Sequence, residues 1–207
     1  MFNAPLLPVL VALSMPALYL LQSRSAAGWI NMAFAPVDLA EGRWSGLFTS
    51  MLLHGGWAHA FMNAVGALTF GAPVARLLRG PSGVLAFLAL YIVSGMVGAL
   101  GYALVHLDSV VPMVGASGAV FGLIGAATRL LGGQGRVLGL TDRRVITTAA
   151  AWMAVNAVTG LIGFAPGAEG ARIAWEAHAF GFLAGILLIG PLVRLFGEPK
   201  TELRARL

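Results

Sequence analysis

Six apolar stretches of roughly membrane-spanning length divide this chain, at about Leu6 to Leu21, Trp57 to Leu78, Val84 to Val105, Val114 to Leu131, Val145 to Phe164 and Ile173 to Val193. A bilayer core about 30 Å thick takes about 20 residues of helix to cross, and backbone polar groups within it must be satisfied internally. The pattern therefore predicts an all-α polytopic membrane protein with six transmembrane helices. Composition agrees: 58% of the 207 residues are hydrophobic and only 10% are charged, too apolar for a soluble domain of this size. No positively charged stretch precedes the first apolar run near Pro5, so that run is expected to remain as an anchor, not to be cleaved as a signal peptide.

The connections are unequal. Between the first two stretches lies a long segment, Gln22 to Gly56, holding Asp38, Glu41, Arg43 and the short apolar piece Leu47 to Leu53. That piece cannot span, so the segment reads as a long outer loop with an interfacial or re-entrant element. Turn pairs such as Gly80-Pro81 and Pro166-Gly167 mark short connections. We find no second domain: residues 1–207 read as one membrane unit, with a short cytoplasmic tail from about 197 to 207.

Lysine and arginine near helix ends are kept on the cytoplasmic side. Of the 13 such residues, ten (Arg76, Arg79, Arg129, Arg136, Arg143, Arg144, Arg194, Lys200, Arg204 and Arg206) fall on one side of a six-helix arrangement; Arg24, Arg43 and Arg172 fall on the other. This split predicts both termini in the cytoplasm, which requires an even number of spans. The arginines are spread over short loops without interleaved aromatics, so nucleic acid is not an expected partner despite the net charge of +5. With no cysteine, disulfides and thiolate metal sites are excluded.

Polar side chains recur where hydrocarbon should exclude them, and function is the default reason to keep them. Ser117 lies at the outer end of the fourth stretch, His59 and Asn63 lie four residues apart on the second, and His178 lies on the sixth. The predicted topology brings all four to one side at shallow depth. Gly118 and Gly122 follow Ser117, and Gly181 and Gly185 follow His178, leaving small faces on which two helices can approach. A serine hydroxyl needs a base to accept its proton, which a neutral imidazole provides. The developing oxyanion needs donors, which an amide and an imidazole at i and i+4, with the Ser117 N–H, can supply. The chemistry this allows is acyl transfer. The Gly-x-Ser-x-Gly turn of soluble hydrolases is absent, because Ala119 occupies the last glycine position.

These segments read His54-Gly-Gly-Trp-Ala-His59-Ala-Phe-Met-Asn63, Gly115-Ala-Ser117-Gly118-Ala-Val-Phe121-Gly122 and Ala177-His178-Ala-Phe-Gly181-Phe-Leu-Ala-Gly185. In that order and spacing the chain resembles the rhomboid intramembrane serine proteases of the basic six-helix bacterial type, over nearly its whole length. The resemblance implies Ser117 as nucleophile, His178 as general base, and His59 and Asn63 as oxyanion donors beside the Ser117 N–H. It places an aromatic, Phe121, against the histidine. Gly115, Gly118, Gly181, Gly185 and His54 are expected to support the site, His54 as a solvated or capping loop residue. The substrates implied are transmembrane segments of other proteins, cleaved near their outer ends, in a bacterial inner membrane with the site opening to the periplasmic side. No cofactor or metal is expected, since hydrolysis needs only water.

Two positions depart from the family pattern. Gly46 stands where a loop arginine is usual, and Ala75 where many members carry a glutamate. Both touch the anchoring of the long loop and not the reaction centre. Other polar residues have simpler readings: Asn156 as an interhelical hydrogen-bonding residue, His106 as an outer-loop residue, and Glu176 as a boundary residue reaching water. Two further classes compete with the protease: a non-proteolytic rhomboid-like binding or quality-control factor, and a small transporter or metal-handling protein. Intact Ser117 and His178 argue against the first, and the lack of a His-Glu-x-x-His pair or a nearby buried carboxylate argues against the second.

Overall fold

The computed structural model describes residues 5–25, 29–163 and 173–197. Arg172, Lys200, Arg204, Arg206 and the expected tail beyond Gly197 lie outside them. Among the described residues there are seven α-helices: α1 (Leu6–Ser23), α2 (Gly46–Thr49), α3 (Trp57–Leu77), α4 (Gly80–Val105), α5 (Ser117–Thr128), α6 (Arg143–Ile162) and α7 (Trp175–Phe196). Among the described residues there is no strand, only an isolated bridge between Phe34 and Met113. Local chemistry sets several ends. Pro81 sits in the first turn of α4, where its missing N–H is harmless. Asp142 caps α6 by accepting the Arg144 N–H at 2.9 Å, and Gly163 ends that helix in the left-handed conformation.

Four helices, α1, α4, α6 and α7, are long and apolar enough to cross a bilayer. Helix α3 has 21 residues but carries His59, Asn63 and Arg76 among many alanines and glycines. The expected fourth span is shorter than the sequence predicts. Of Val114 to Leu131 only Ser117–Thr128 is helical, about 18 Å at 1.5 Å per residue, well short of the hydrocarbon thickness. The reason lies at its ends: Gly115 adopts φ +127° just before the helix and Gly132 φ +71° soon after it, conformations that interrupt a right-handed helix. Ten of the 12 residues of α5 are buried, against α7, α4 and α3. The helix itself is thus enclosed by protein, whereas Leu131, Gly132, Gln134 and Arg136 beyond its C-terminal end are exposed.

Around this central helix, α1 packs on α3, and α4 on α7. Phe87, Leu90, Leu123, Val74 and Ile189, all fully buried, form the core. Small residues let the backbones meet. A Cβ added to Gly181 would overlap the Gly118 carbonyl, and one added to Gly185 the Gly122 carbonyl. Close approach of this kind drives helix association where lipid removes the hydrophobic incentive. Helix α6 stands apart, with only Val145 and Asn156 buried along its 20 residues.

The connection from α1 to α3 is held by the protein rather than by lipid. Leu47, Met51 and Leu53, the apolar piece read as interfacial or re-entrant, are each less than 8% exposed and form α2 followed by a 3-10 turn, with α2 packed on α4. Phe34 and Met113 exchange backbone hydrogen bonds of 3.1 and 2.7 Å, and the Gly115 N–H donates to the Ser50 carbonyl at 3.0 Å. Gly46 leaves no room for a larger residue, since a Cβ there would lie 3.0 Å from the Ala33 carbonyl oxygen. Anchoring charge comes instead from Arg43, which pairs with Asp38 and Glu41. Ala75 is buried in the main core.

Candidate active site

Ser117 is the first residue of α5. The first turn of a helix presents N–H groups without intrahelical partners, together with the positive end of the helix dipole. Ser117 Oγ and His178 Nε2 are hydrogen-bonded at 2.8 Å. The other imidazole nitrogen, Nδ1, lies 3.0 Å from Asn156 Oδ1. One face of the ring is covered by Phe121, with ring centroids 4.4 Å apart and planes 3° from parallel. Three helices thus converge on one imidazole: α5 through Ser117 and Phe121, α6 through Asn156, and α7, which carries it.

His59 and Asn63 are one turn apart on α3 and line the same cavity of about 690 Å³ as Ser117 and His178. The Gly55 N–H donates to His59 Nδ1 at 3.2 Å. That nitrogen therefore bears no proton, and the proton of a neutral ring sits on Nε2, free to donate. Gly115 makes room for this ring. Its φ of +127° suits glycine alone, and a Cβ there would lie 2.7 Å from His59 Nε2 and 3.7 Å from Ser117 Oγ. The imidazole donor and the hydroxyl consequently border one small space. Asn63 is 5% exposed, and its Nδ2 has no protein partner. A buried amide N–H left unpaired is costly, and such a donor is suited to developing negative charge.

His54 is not the solvated loop residue that the sequence suggests. It is 1% exposed, and its ring packs edge-on to His59 at 5.4 Å. The cause is Gln22, whose Nε2 donates to the His54 carbonyl at 2.8 Å while its Oε1 accepts the His54 N–H at 3.0 Å. This two-way clamp ties the end of α1 to the loop before α3. Burial, reinforced by His59, pushes the His54 pKa down to about 4. Glu176 also departs from expectation. It does not reach out to water but lies 2.9 Å from His106 Nε2, its side chain 12% exposed. The pair joins the end of α4 to the start of α7.

Sequence reasoning did not anticipate Gln22, Gly55 or the partner of Asn156. An amide on an otherwise apolar helix is a visible signal that an interhelical bond exists, but nothing along the chain says with what. Among the described residues no three His, Asp or Glu side chains are grouped to hold a metal ion.

A helical membrane bundle with a serine and a histidine hydrogen-bonded inside a cavity defines the class, an integral membrane protein with the constellation of a hydrolase. The profile of the Rhomboid domain matches residues 41–195. A protein of Bacillus subtilis (strain 168) named "Putative rhomboid protease YdcA" is 31% identical over 153 residues, covering 73% of this chain and 69% of that protein. The chain belongs to the rhomboid family, a family of intramembrane proteases acting on membrane proteins within the bilayer.

Proposed function

We propose that this chain is a serine endopeptidase that cleaves transmembrane segments of other proteins near their outer ends, through a dyad of Ser117 and His178. The observation that carries the reading is the 2.8 Å hydrogen bond between Ser117 Oγ and His178 Nε2 inside a cavity. As Oγ attacks the scissile carbonyl carbon, its proton passes to Nε2 and the carbonyl oxygen becomes an oxyanion. The Ser117 N–H, His59 Nε2–H and Asn63 Nδ2–H are the donors for that charge. Collapse breaks the C–N bond, and His178 returns the proton to the departing amine. Water entering the cavity then attacks the ester, giving its proton to Nε2, and Ser117 leaves as the restored hydroxyl. A substrate helix must unwind locally before this can happen, since a hydrogen-bonded helix shields its carbonyl carbons.

The same reading takes α3 and the four long apolar helices as spans, with the central α5 and the non-helical backbone at its ends together making the sixth crossing. The bias of lysine and arginine to one side favours cytoplasmic termini, with the site opening to the opposite face of the inner membrane. A reporter fused after Leu207 that reads as external would overturn this orientation.

The direct test is labelling of the purified protein with a fluorophosphonate, with the adduct expected on Ser117, together with cleavage of a transmembrane substrate in liposomes. Ser117→Ala should abolish both while leaving a folded, inserted protein. Wild-type cleavage by that variant would sink the protease reading. Absence of both activities in the wild type would favour a non-proteolytic binding protein.

A further inference from the structure

We infer that Asn156 is a positioning residue for His178, holding the imidazole as its Nδ1–H tautomer so that Nε2 is the basic nitrogen facing Ser117. The inference rests on the protease reading for its catalytic consequence but on geometry for the tautomer itself.

Three observations combine. Asn156 is 2% exposed on a helix whose only other buried residue is Val145. A buried amide on the most exposed of the four long apolar helices is costly unless its hydrogen bonds are made. Both ends of the amide are used. Nδ2 donates to the Trp175 carbonyl at 2.8 Å, and Oδ1 lies 3.0 Å from His178 Nδ1.

The Trp175 carbonyl decides the orientation. A carbonyl oxygen accepts only, so the NH₂ end of the amide must face it; the reversed amide would set two acceptors against each other. Oδ1 is then fixed toward His178, and an amide oxygen also only accepts. His178 Nδ1 must therefore carry a hydrogen, and the neutral ring is bare at Nε2. That is the nitrogen 2.8 Å from Ser117 Oγ. Trp175 belongs to the first turn of α7, three residues before His178. The reference carbonyl and the ring it orients therefore move together on one helix, with Asn156 bridging to them from α6.

An amide differs from a carboxylate here. It orders the ring and its tautomer without adding a charge to stabilise the imidazolium. It also makes no demand for a buried negative group on a helix bordering lipid. Among the described residues, the hydrogen-bond and ring-stacking partners of His178 are Ser117, Asn156 and Phe121, none of them acidic.

The test compares Asn156→Leu, which keeps the volume and loses the acceptor, with Asn156→Asp, which keeps an acceptor in either protonation state. Turnover of a transmembrane substrate in liposomes should fall roughly 10- to 100-fold in Asn156→Leu, less than the ~10⁴ lost when a triad acid is replaced so that the wrong tautomer is imposed. The loss should fall on kcat with KM nearly unchanged. Asn156→Asp should stay above Asn156→Leu, since a pure packing role gives the opposite order. Histidine ring ¹⁵N NMR on the full chain reads the tautomer directly; with four histidines, the His178→Gln variant assigns the signal. Wild type and Ser117→Ala should both show Nδ1 protonated and Nε2 bare, and Asn156→Leu a mixture. Wild-type turnover in Asn156→Leu, or a protonated Nε2 in the wild type, would overturn the inference. A wild type that cleaves nothing yet shows the Nδ1–H form would remove the protease reading and leave the tautomer assignment standing.

Discussion

Phe121 and His178 stack face to face, their ring planes 3° from parallel and centroids 4.4 Å apart. The contact crosses from α5 to α7 and is one turn along from Ser117 on the same helix, so the nucleophile and the ring that bounds its base are set by one rigid element. Aromatic pairs of this kind contribute about 0.5–1.5 kcal/mol beyond area burial. Phe121→Leu retains an apolar side chain and loses the stack, and we expect turnover to fall roughly 2- to 12-fold, that energy expressed as a rate. Full turnover in liposomes would show that Asn156 and Ser117 hold the ring without Phe121.

His59 and Asn63 are expected to act on the transition state more than on substrate binding. His59→Ala and Asn63→Ala should each lower kcat about 10²- to 10³-fold, the range for loss of one oxyanion donor, with smaller changes in KM. Because Asn63 Nδ2 has no protein partner in the resting protein, Asn63→Ala should leave thermal stability in detergent little changed. A variant with unaltered kcat would place the oxyanion elsewhere.

The Ser117–His178 distance depends on glycine contacts deeper in the bundle. In Gly181→Ala the new methyl would overlap the Gly118 carbonyl, so α5 and α7 must move apart. Overpacking of this kind costs about 1–3 kcal/mol, and the same displacement lengthens the hydrogen bond at the site. Both the thermal midpoint and the rate of fluorophosphonate labelling should drop. A loss of stability with full labelling would mean that the helices part below the site without disturbing it.

His54 links folding to pH. Its pKa is about 4 in the folded protein and about 6.5 when exposed, so below that value the unfolded chain binds a proton that the folded chain refuses. Stability should fall as pH drops through 6.5, by up to about 1.4 kcal/mol per unit for this one group, and the loss should level off near pH 4, where the folded form takes up the proton as well. His54→Phe keeps an aromatic ring against His59 and should reduce the difference in thermal midpoint between about pH 7 and pH 4.5. An undiminished difference would assign the acid sensitivity to other groups.

The amino-acid sequence by itself determined the membrane class, the family, and the candidate residues Ser117, His178, His59 and Asn63. Each of these is a local signal: a polar group in an apolar run costs free energy wherever the run folds, and glycines at regular intervals mark where helices can meet. Helix limits were legible within a few residues for α1, α3, α6 and α7. They were not for the fourth stretch, because hydropathy does not distinguish a core helix ended by glycine from a span that faces lipid. Only the tertiary structure decided which groups satisfy the polar atoms at the site. Gln22 clamps His54 from 32 residues away, Gly55 sets the His59 tautomer, His106 takes Glu176, and Asn156 meets His178 across a helix interface. A hydrogen bond needs a partner at about 3 Å in a particular direction. Between helices, that direction follows from the packing of whole elements and leaves no periodic trace along the chain.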